Sequence, residues 1–171
     1  MAIKTVLQLG NTRLYEHAEE VRKIHLPELR GIITDLHDTL MDFRKRYGAG
    51  RAIAAPQIGY MKRLIYMNID KPVVIINPSF SQLSAEKIEV WDDCMCFPRL
   101  LVKVLRHQSC AVEYLDEMWA RCELHFTGEL SELIQHEYDH LDGVLAVSRA
   151  IDGKSFSFRS ELEADQAGAK E

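Results

Sequence analysis

The sequence predicts an α+β domain in which antiparallel strands pack around a central helix, with a second, amphipathic helix near the N-terminus. Three observations predict this class: an early segment with helical spacing of its apolar residues, a series of short apolar segments divided by turn residues, and a later helical segment with an H-E-x-x-H pattern. The chain has 171 residues, 47% of them hydrophobic, which is enough for one domain with a buried core.

The predicted elements follow one another in the order helix, strands, helix. The first helix is predicted over residues 26–48, where apolar residues recur at intervals of three and four and Gly48 provides a stop. Short apolar segments then predict strands at residues 63–69, 72–80, 87–98, 100–106 and 110–116. Gly128 precedes the second helix, which is expected from Glu129 to about Leu141.

The ends of the chain and its charge restrict the class of protein. No run approaches ~18 consecutive apolar residues, so no membrane span is expected. The N-terminus does not resemble a signal peptide, so a cytoplasmic location is expected. The net charge of -5 argues against nonspecific nucleic-acid binding. Residues 1–150 are expected to form the domain, and residues 151–171 a polar, loosely held tail that could still contain one strand or helical turn.

The second helix contains the pattern His136-Glu137-Tyr138-Asp139-His140. Helical residues four apart are displaced by roughly 40° around the axis, so both imidazoles project from one face and can bind one metal ion. Glu137 lies roughly 100° from His136 and can stand beside the ion without binding it, where a carboxylate could take a proton from water. Asp139 is expected to face away from the histidines, as a surface or ligand-supporting carboxylate. The alternative is a polar surface helix with a chance match.

The four cysteines are expected to be reduced, and one of them is a candidate third ligand. A catalytic metal site needs three protein ligands and an open position. Cys94, in the strand-like segment "DDCMCFP", is the stronger candidate. Cys96 points the same way in an extended segment and could lie near the ion or near Cys94. Cys110 and Cys122 are expected to be buried as small apolar residues.

Three separated segments of the chain resemble the peptide deformylase family, in the order in which that family has them. The segment "GRAIAAPQIG", residues 50–59, is similar to the family's G-x-G-L-A-A-x-Q-x-G loop. The segment "DDCMC", residues 92–96, is similar to E-G-C-L-S, and "QHEYDHLDG", residues 135–143, matches Q-H-E-x-D-H-L-x-G at every fixed position. A zincin protease would share only the H-E-x-x-H pattern.

The resemblance implies a metal-dependent amide hydrolase that removes the N-formyl group from the N-terminal methionine of newly made polypeptides. It implies one divalent ion per chain, with Fe²⁺ preferred and Zn²⁺, Ni²⁺ or Co²⁺ as substitutes. Three residues would bind this ion: Cys94, His136 and His140. Glu137 would be the general base and acid, and Gln57 would donate a hydrogen bond to the formyl oxygen, assisted by the backbone N–H of Met95. The N-formylmethionyl peptide would be met near the ribosome exit, with at most a transient ribosome contact.

The substrate pocket is where the chain departs from the family. The expected substrate-binding residues are Gly50, Ile53, Ala54, Glu132 and Leu133. The family has an apolar pocket at the helical turn before the first histidine, and Glu132 occupies that turn here. Either Glu132 faces the pocket or it swings out to solvent; the solvent orientation is favoured, because an unpaired carboxylate against a methionine side chain costs several kcal/mol.

Three further departures lie in the matched segments. Asp93 replaces a glycine, Asp92 replaces a glutamate and Ala52 replaces the second glycine of the first segment. None of them removes a metal-binding group. They leave open a second interpretation, a deformylase-like metal-binding protein with altered acyl or side-chain specificity or with little turnover.

Overall fold

The computed structural model describes residues 3–168. Within this range the three α-helices are α1 (Leu26–Tyr47), α2 (Glu129–Leu141) and α3 (Arg159–Gly168). The eight strands are β1 (Ala52–Ala54), β2 (Leu64–Asn68), β3 (Pro72–Leu83), β4 (Lys87–Asp93), β5 (Leu100–His107), β6 (Ser109–Leu115), β7 (Arg121–Thr127) and β8 (Phe156–Phe158).

The strands form two antiparallel sheets. The larger sheet has the order β1-β2-β3-β6-β7, and the smaller has the order β4-β5-β8. Helix α2 contacts strands of both sheets, β1, β2 and β7 on one side and β4 and β5 on the other. The α+β prediction, with antiparallel strands around a central helix, is therefore confirmed.

Helix α1 packs its apolar side against the larger sheet. Leu36, Leu40 and Phe43 are buried in one cluster with residues of β1 and β2, such as Leu64. Burying each such side chain contributes roughly 1.5–3 kcal/mol, so packing rather than propensity stabilises the helix. The helix ends where Gly48 adopts a φ of 68°, a left-handed conformation that glycine accepts without strain. No helix within residues 3–168 is long and apolar enough to cross a membrane.

Helix α2 begins and ends where the sequence predicts, and the glycine after it has a packing reason. Gly143 has a φ of +70°, and a Cβ at this position would lie 2.5 Å from the carbonyl oxygen of Tyr15. Only glycine lets the N-terminal segment cross this closely, and that crossing is reinforced by the hydrogen bond from the N–H of Ala18 to the carbonyl of Leu141 (2.8 Å). The last glycine of "QHEYDHLDG" therefore anchors the end of the motif helix.

Two strands of the larger sheet are not predicted from the sequence. Strand β1 consists of residues that read as a loop, because small residues and glycines mask a three-residue strand. Strand β7 pairs with β6 at the sheet edge. Its alternation of polar and apolar residues is the sequence signal from which the strand could have been predicted. The prediction that Cys122 is buried is wrong, since it lies half-buried on this edge strand, whereas Cys110 on β6 is buried.

The polar tail contributes ordered structure. Strand β8 pairs with β5, with Phe156 opposite Val102 and Phe158 opposite Leu100, and α3 follows it directly. Residues 156–168 are therefore not a loosely held tail, because the open edge of β5 offers hydrogen-bonding groups that β8 uses. The domain boundary at residue 150 stays a prediction, and residues 169–171 of the tail lie outside the described residues.

Candidate metal centre and active site

Three predicted ligands meet between α2 and the segment that follows β4. Nε2 of His140 lies 3.1 Å from Nε2 of His136 and 3.3 Å from Sγ of Cys94. One ligand atom from each of the three residues lies within 4.8 Å of the other two, and all three side chains are buried. The i, i+4 spacing on α2 brings the imidazoles together, and the chain turn after Asp93 brings the thiol to them.

The spacing of these atoms fits a metal ion. Ideal tetrahedral bonds of about 2.05 Å to nitrogen and 2.3 Å to sulfur place two nitrogens about 3.3 Å apart and a nitrogen and a sulfur about 3.6 Å apart. The observed 3.1 and 3.3 Å are slightly tighter, so the triad needs only a small expansion to enclose an ion. Three protein ligands leave one position open, which is the arrangement of a catalytic rather than a structural site.

A chain of buried charges supports His136 from behind. Its Nδ1 lies 2.6 Å from Oδ1 of Asp92, although the contact is too bent for an aligned hydrogen bond. The other oxygen of Asp92 accepts a hydrogen bond from Nη2 of Arg106 (2.7 Å), and Nη1 of Arg106 donates to Asp139. Arg149 then donates twice to the Asp139 carboxylate, at 2.7 and 2.6 Å. Carboxylates placed in this way orient a metal-binding imidazole and increase its basicity.

These charges set the protonation of the ligands. Burial lowers the pKa of His136, but the carboxylate of Asp92 outweighs burial and raises it to about 10. Burial, together with the positive charge of His136, lowers the pKa of His140, and burial raises the pKa of the Cys94 thiol. Metal ligands must be neutral imidazole and thiolate, so binding of an ion displaces protons from His136 and Cys94.

Glu137 is the buried carboxylate beside the ligand triad. It is 3% exposed and lines the same cavity as Cys94 and His136. Burial raises its pKa to about 7, with a smaller contribution from the negative charge of Asp92. Within residues 3–168 no protein atom forms a hydrogen bond with its buried Oε2. A buried carboxylate with a raised pKa on a cavity wall is suited to taking up and returning a proton.

Gln57 and Met95 lie where the sequence predicts, on the cavity wall. Oε1 of Gln57 accepts a hydrogen bond from the N–H of Ala54 (2.7 Å), which fixes the amide and directs its NH₂ group inward. Nε2 of Gln57 lies 3.8 Å from Sγ of Cys94 and 3.7 Å from Sγ of Cys96. Cys96 is therefore near Cys94, and its backbone N–H also contacts the Cys94 sulfur at 3.4 Å.

A cavity of about 990 Å³ is lined by two members of the triad, Cys94 and His136. Its walls come from the segment around β1, the segment after β4, α2 and the C-terminal strand and helix. The lining residues near the metal ligands include Gly50, Arg51, Ala52, Gln57, Met95, Glu132, Leu133 and Glu137. Among the predicted substrate-binding residues, Gly50, Leu133 and Glu132 therefore contribute to this cavity.

The whole arrangement has counterparts among known proteins. A model of the polypeptide deformylase family matches residues 3–155. The chain belongs to this family. A peptide deformylase of Treponema pallidum (strain Nichols) is 36% identical over 148 residues, which cover 85% of this chain and 86% of that protein.

Solved structures of peptide deformylases share the fold. The deformylase of Synechococcus elongatus in complex with actinonin matches with a TM-score of 0.80 and 32% identity, covering 96% of this chain and 86% of that one. A Met-Ala-Ser-bound class I type b deformylase of Acinetobacter baumannii matches with a TM-score of 0.79 and 27% identity, covering 86% of this chain and 98% of that one. The family consists of metal-dependent hydrolases that deformylate nascent peptides, and this chain is accordingly a metal-dependent enzyme with a candidate site for a divalent ion.

The structure overturns one detail of the deformylase-like site inferred from sequence, the orientation of Glu132. Glu132 does not swing out to solvent; its side chain is 13% exposed and lines the cavity, with Nη2 of Arg51 3.6 Å from its Oε2. Burial and the nearby charge of Asp92 raise the pKa of Glu132 to about 7. The side chains of Ile53 and Ala54 are fully buried in the hydrophobic clusters on either side of the edge strand β1, whereas Ala52 of the same strand lines the cavity. The substrate-binding roles of Ile53 and Ala54 stay predictions.

Several cavity residues were missed from sequence. Arg51 is a charged residue among the small residues of the first matched segment, and this contrast was the one signal in the sequence. Nothing in that segment predicts its ion pairs with Glu129 and Glu132 of α2. Phe158, Arg159 and Ser160 also line the cavity, and Arg159 pairs with the carboxylate of Asp93. No local pattern could predict these last contacts, because they depend on β8 pairing with β5.

Proposed function

We propose that this deformylase removes the formyl group from the N-terminal methionine of newly made polypeptides through the residues around the Cys94-His136-His140 triad. The observation on which this proposal rests is the triad of possible metal ligands, two of which, Cys94 and His136, line one cavity together with the buried Glu137. A Cys-His-His ligand set with an adjacent carboxylate has the composition needed to hydrolyse an amide at neutral pH.

Glu137 is proposed to move the proton. When bound, the ion supplies Lewis-acid polarisation of the formyl carbonyl and increases the acidity of water. Glu137 accepts a proton from the attacking water, the new C–O bond forms, and the C–N bond breaks. Glu137 then returns the proton to the departing amine, so formate and a free N-terminus leave. Burial raises the pKa of Glu137 to about 7 in the metal-free site, and a cation beside it would lower that pKa and favour the carboxylate form that takes the proton from water.

Gln57 is proposed to stabilise the oxygen on which negative charge develops. Its amide oxygen is held by the N–H of Ala54, so its NH₂ group is already directed before substrate arrives. The backbone N–H of Met95, on the same wall, is proposed as the second donor. Donors fixed in advance in a buried site stabilise a developing oxyanion more than mobile donors in water, typically by about 3 kcal/mol each.

The native ion is proposed to be Fe²⁺, with Zn²⁺, Ni²⁺ or Co²⁺ as working substitutes. A thiolate and two imidazoles select borderline-soft transition metals over Mg²⁺, which prefers oxygen ligands. The buried N–H groups around the Cys94 sulfur, from Cys96 and Gln57, stabilise the thiolate form.

The substrate is proposed to be a peptide that enters the cavity with its formylated end first. The Acinetobacter baumannii relative binds Met-Ala-Ser, and a cavity of about 990 Å³ has room for a peptide of that length. A transient contact with the ribosome and a cytoplasmic location stay predictions, as does the absence of nucleic-acid binding.

The test is release of free amine from formyl-Met-Ala-Ser. The protein is purified without oxygen and loaded separately with iron, nickel or zinc, with Glu137→Ala as the control. We expect turnover that is highest with iron or nickel and is reduced by roughly 10²–10⁴-fold in the variant at unchanged metal content. Absence of turnover with one ion bound per chain would exclude this substrate and favour the alternative, a deformylase-like protein with another specificity or little turnover.

A further inference from the structure

We infer that the substrate of this deformylase continues into a second cavity, which binds apolar side chains of the residues that follow the third residue of the nascent chain. The occupant is the same formylated peptide, so the inference rests on the proposed function and extends it. It concerns the affinity for the peptide and leaves the chemistry at the formyl group unchanged.

The second cavity has a volume of about 570 Å³ and adjoins the cavity that is lined by the candidate metal ligands. In the described part of the chain, four residues line both cavities: Phe43, Tyr47, Met95 and Pro98. The remaining walls of the second cavity come from the segment before the first 3-10 turn and from the last two turns of α1. A peptide that leaves the first cavity across the four shared residues therefore enters the second.

A nascent chain is long enough to occupy both cavities. The first cavity, of about 990 Å³, has room for a peptide of about three residues, so the later residues of a longer substrate must leave it. An extended chain advances about 3.3 Å per residue, and three further residues therefore reach roughly 10 Å beyond the first cavity. That distance is enough to bring them onto the adjoining surface.

The second cavity exposes apolar side chains. Ile3 is 59% exposed and Tyr47 is 52% exposed, and both line it. The ring of Tyr47 stacks on that of Phe43, with centroids 4.4 Å apart, so it presents a fixed aromatic face. Large apolar side chains that are exposed together on one concave surface are typical of a binding site rather than of an ordinary protein surface.

The charges around this cavity are balanced. Nζ of Lys4 lies 3.3 Å from Oδ2 of Asp35, and Nη2 of Arg46 lies 2.5 Å from Oδ2 of Asp42. Each cation that lines the cavity therefore has a carboxylate partner, and a charged peptide segment would gain little attraction here. The balance of charge and the exposed apolar side chains both favour an uncharged, apolar occupant.

The N-terminal wall of the cavity is held in place by hydrogen bonds to the rest of the fold. The N–H of Lys4 donates to Oγ1 of Thr39 on α1 (2.9 Å). The N–H of Leu9 donates to the carbonyl of Cys96 (3.0 Å), and Nε2 of Gln8 donates to the carbonyl of Met95 (3.4 Å). The wall is thus formed before a peptide arrives, which reduces the entropic cost of binding.

The experiment compares three formylated peptides, all with C-terminal amides, on the metal-loaded enzyme. They are formyl-Met-Ala-Ser and the same sequence extended by Leu-Leu-Leu or by Ser-Ser-Ser. The two hexapeptides have the same length and charge and differ only in the apolar side chains after the third residue. Binding of the deformylated hexapeptides is measured by calorimetry on the same proteins, as a readout independent of turnover.

Each test variant has a matched control elsewhere on the surface. Ile3→Ser is the sharper test, because Ile3 lines the second cavity and not the first, and Tyr47→Ala removes the aromatic face. Ile24→Ser and Tyr15→Ala are the controls, since these side chains are 77% and 49% exposed and line neither cavity.

We expect kcat/KM for the leucine hexapeptide to exceed that for the serine hexapeptide by roughly tenfold, mainly through KM, because its side chains leave water for the apolar wall. Ile3→Ser and Tyr47→Ala should each lower this ratio by about fivefold, and the affinities for the deformylated hexapeptides should change in the same direction. The two control variants should leave the ratio within about twofold of the wild-type value.

The inference is overturned if the wild-type enzyme treats the two hexapeptides alike within twofold, or if the control variants lower the ratio as much as the test variants do. Sedimentation velocity adds a third such outcome: a wild-type dimer that Ile3→Ser dissociates would assign this surface to a second copy of the chain. A wild-type enzyme that hydrolyses none of the peptides contradicts the proposed function instead. The affinities for the deformylated hexapeptides then still decide the role of the second cavity, since they either respond to Ile3→Ser or do not.

Discussion

Two carboxylates on α2, the buried Asp139 and the partly buried Glu132, lie about one turn on either side of His136 and have different partners. Asp139 receives hydrogen bonds from Arg106 and Arg149. Within residues 3–168, the salt bridge that Glu132 forms is the longer contact with Arg51. The first carboxylate belongs to a saturated network behind the metal ligands, and the second faces the cavity in front of them.

The difference shows that one side of α2 holds the candidate metal ligand His136 in place, while the other side faces the cavity. A buried charge whose partners are complete rigidifies its surroundings, whereas one with incomplete partners is destabilised and available to a ligand. The side of α2 near β4 and β5 follows the first pattern and orients His136. The side facing β1 follows the second pattern, and Glu132 on that side is one of the chain's departures from the family pattern.

The largest expected effect in this comparison is that of Arg106→Leu. Arg106 is 3% exposed and is paired with both Asp92 and Asp139, so its loss leaves two buried carboxylates short of a partner. We expect a loss of about 3–5 kcal/mol in the free energy of unfolding, measured by urea titration at constant m-value. A loss below about 1 kcal/mol would show that the network is not the supporting element described above.

Glu132→Gln should stabilise the metal-free protein in a pH-dependent way. The pKa of Glu132 rises from 4.5 to about 7 on folding, so its favourable contribution is complete below pH 4.5 and is lost as pH rises through about 7. We therefore expect the variant to gain roughly 3 kcal/mol over wild type at pH 8.5 and almost nothing at pH 4. Chemical denaturation at the two pH values, with chelator present, measures this.

The exposed Glu129→Gln serves as the control for that measurement and should change stability by less than about 0.5 kcal/mol at either pH. An equal gain for Glu132→Gln at both pH values would mean that the variant acts through packing rather than through loss of a buried charge.

Asp92→Asn tests the supporting side through the metal. Asp92 contacts Nδ1 of His136, and its loss should weaken binding of the ion by about 10–100-fold, as competition with a chromophoric chelator would report. Asp93→Asn is the matched control: it neutralises the adjacent carboxylate, which pairs with the partly exposed Arg159 instead. Equal losses in both variants would indicate a general effect of charge rather than orientation of His136.

Arg51→Leu should have the smallest effect, a change in unfolding free energy below about 1 kcal/mol. Arg51 is 39% exposed and lies 3.6 Å from Glu132, a geometry in which ion pairs contribute little. Urea titration of Arg51→Leu and Arg106→Leu under the same conditions makes the comparison direct, because each variant replaces one arginine by leucine on a different side of α2. A loss of several kcal/mol would place Glu132 in a saturated network after all.

Local pattern was sufficient for much of the fold and for the metal ligands. The bounds of α2, the end of α1 at Gly48 and five of the strands follow from periodicity and turn residues. The H-E-x-x-H spacing places both imidazoles on one helix face, because that geometry belongs to the helix itself. Strand β1 was missed because three small residues have too little periodicity, and β8 because its pairing depends on the distant β5.

The amino-acid sequence by itself determined the family and predicted the ligand triad and the proton-transferring carboxylate, since each depends on residue types at fixed spacing. Only the tertiary structure decided which carboxylates have arginine partners at hydrogen-bonding distance, as Asp139 has, and which lie at the cavity with a longer contact, as Glu132 does. Arg51 comes from the segment at β1, Arg106 from β5 and Arg149 from the turn after α2. Their distances from Asp139 and Glu132 depend on how two sheets pack against one helix, because the strength of a charge pair depends on separation and burial that no local pattern contains.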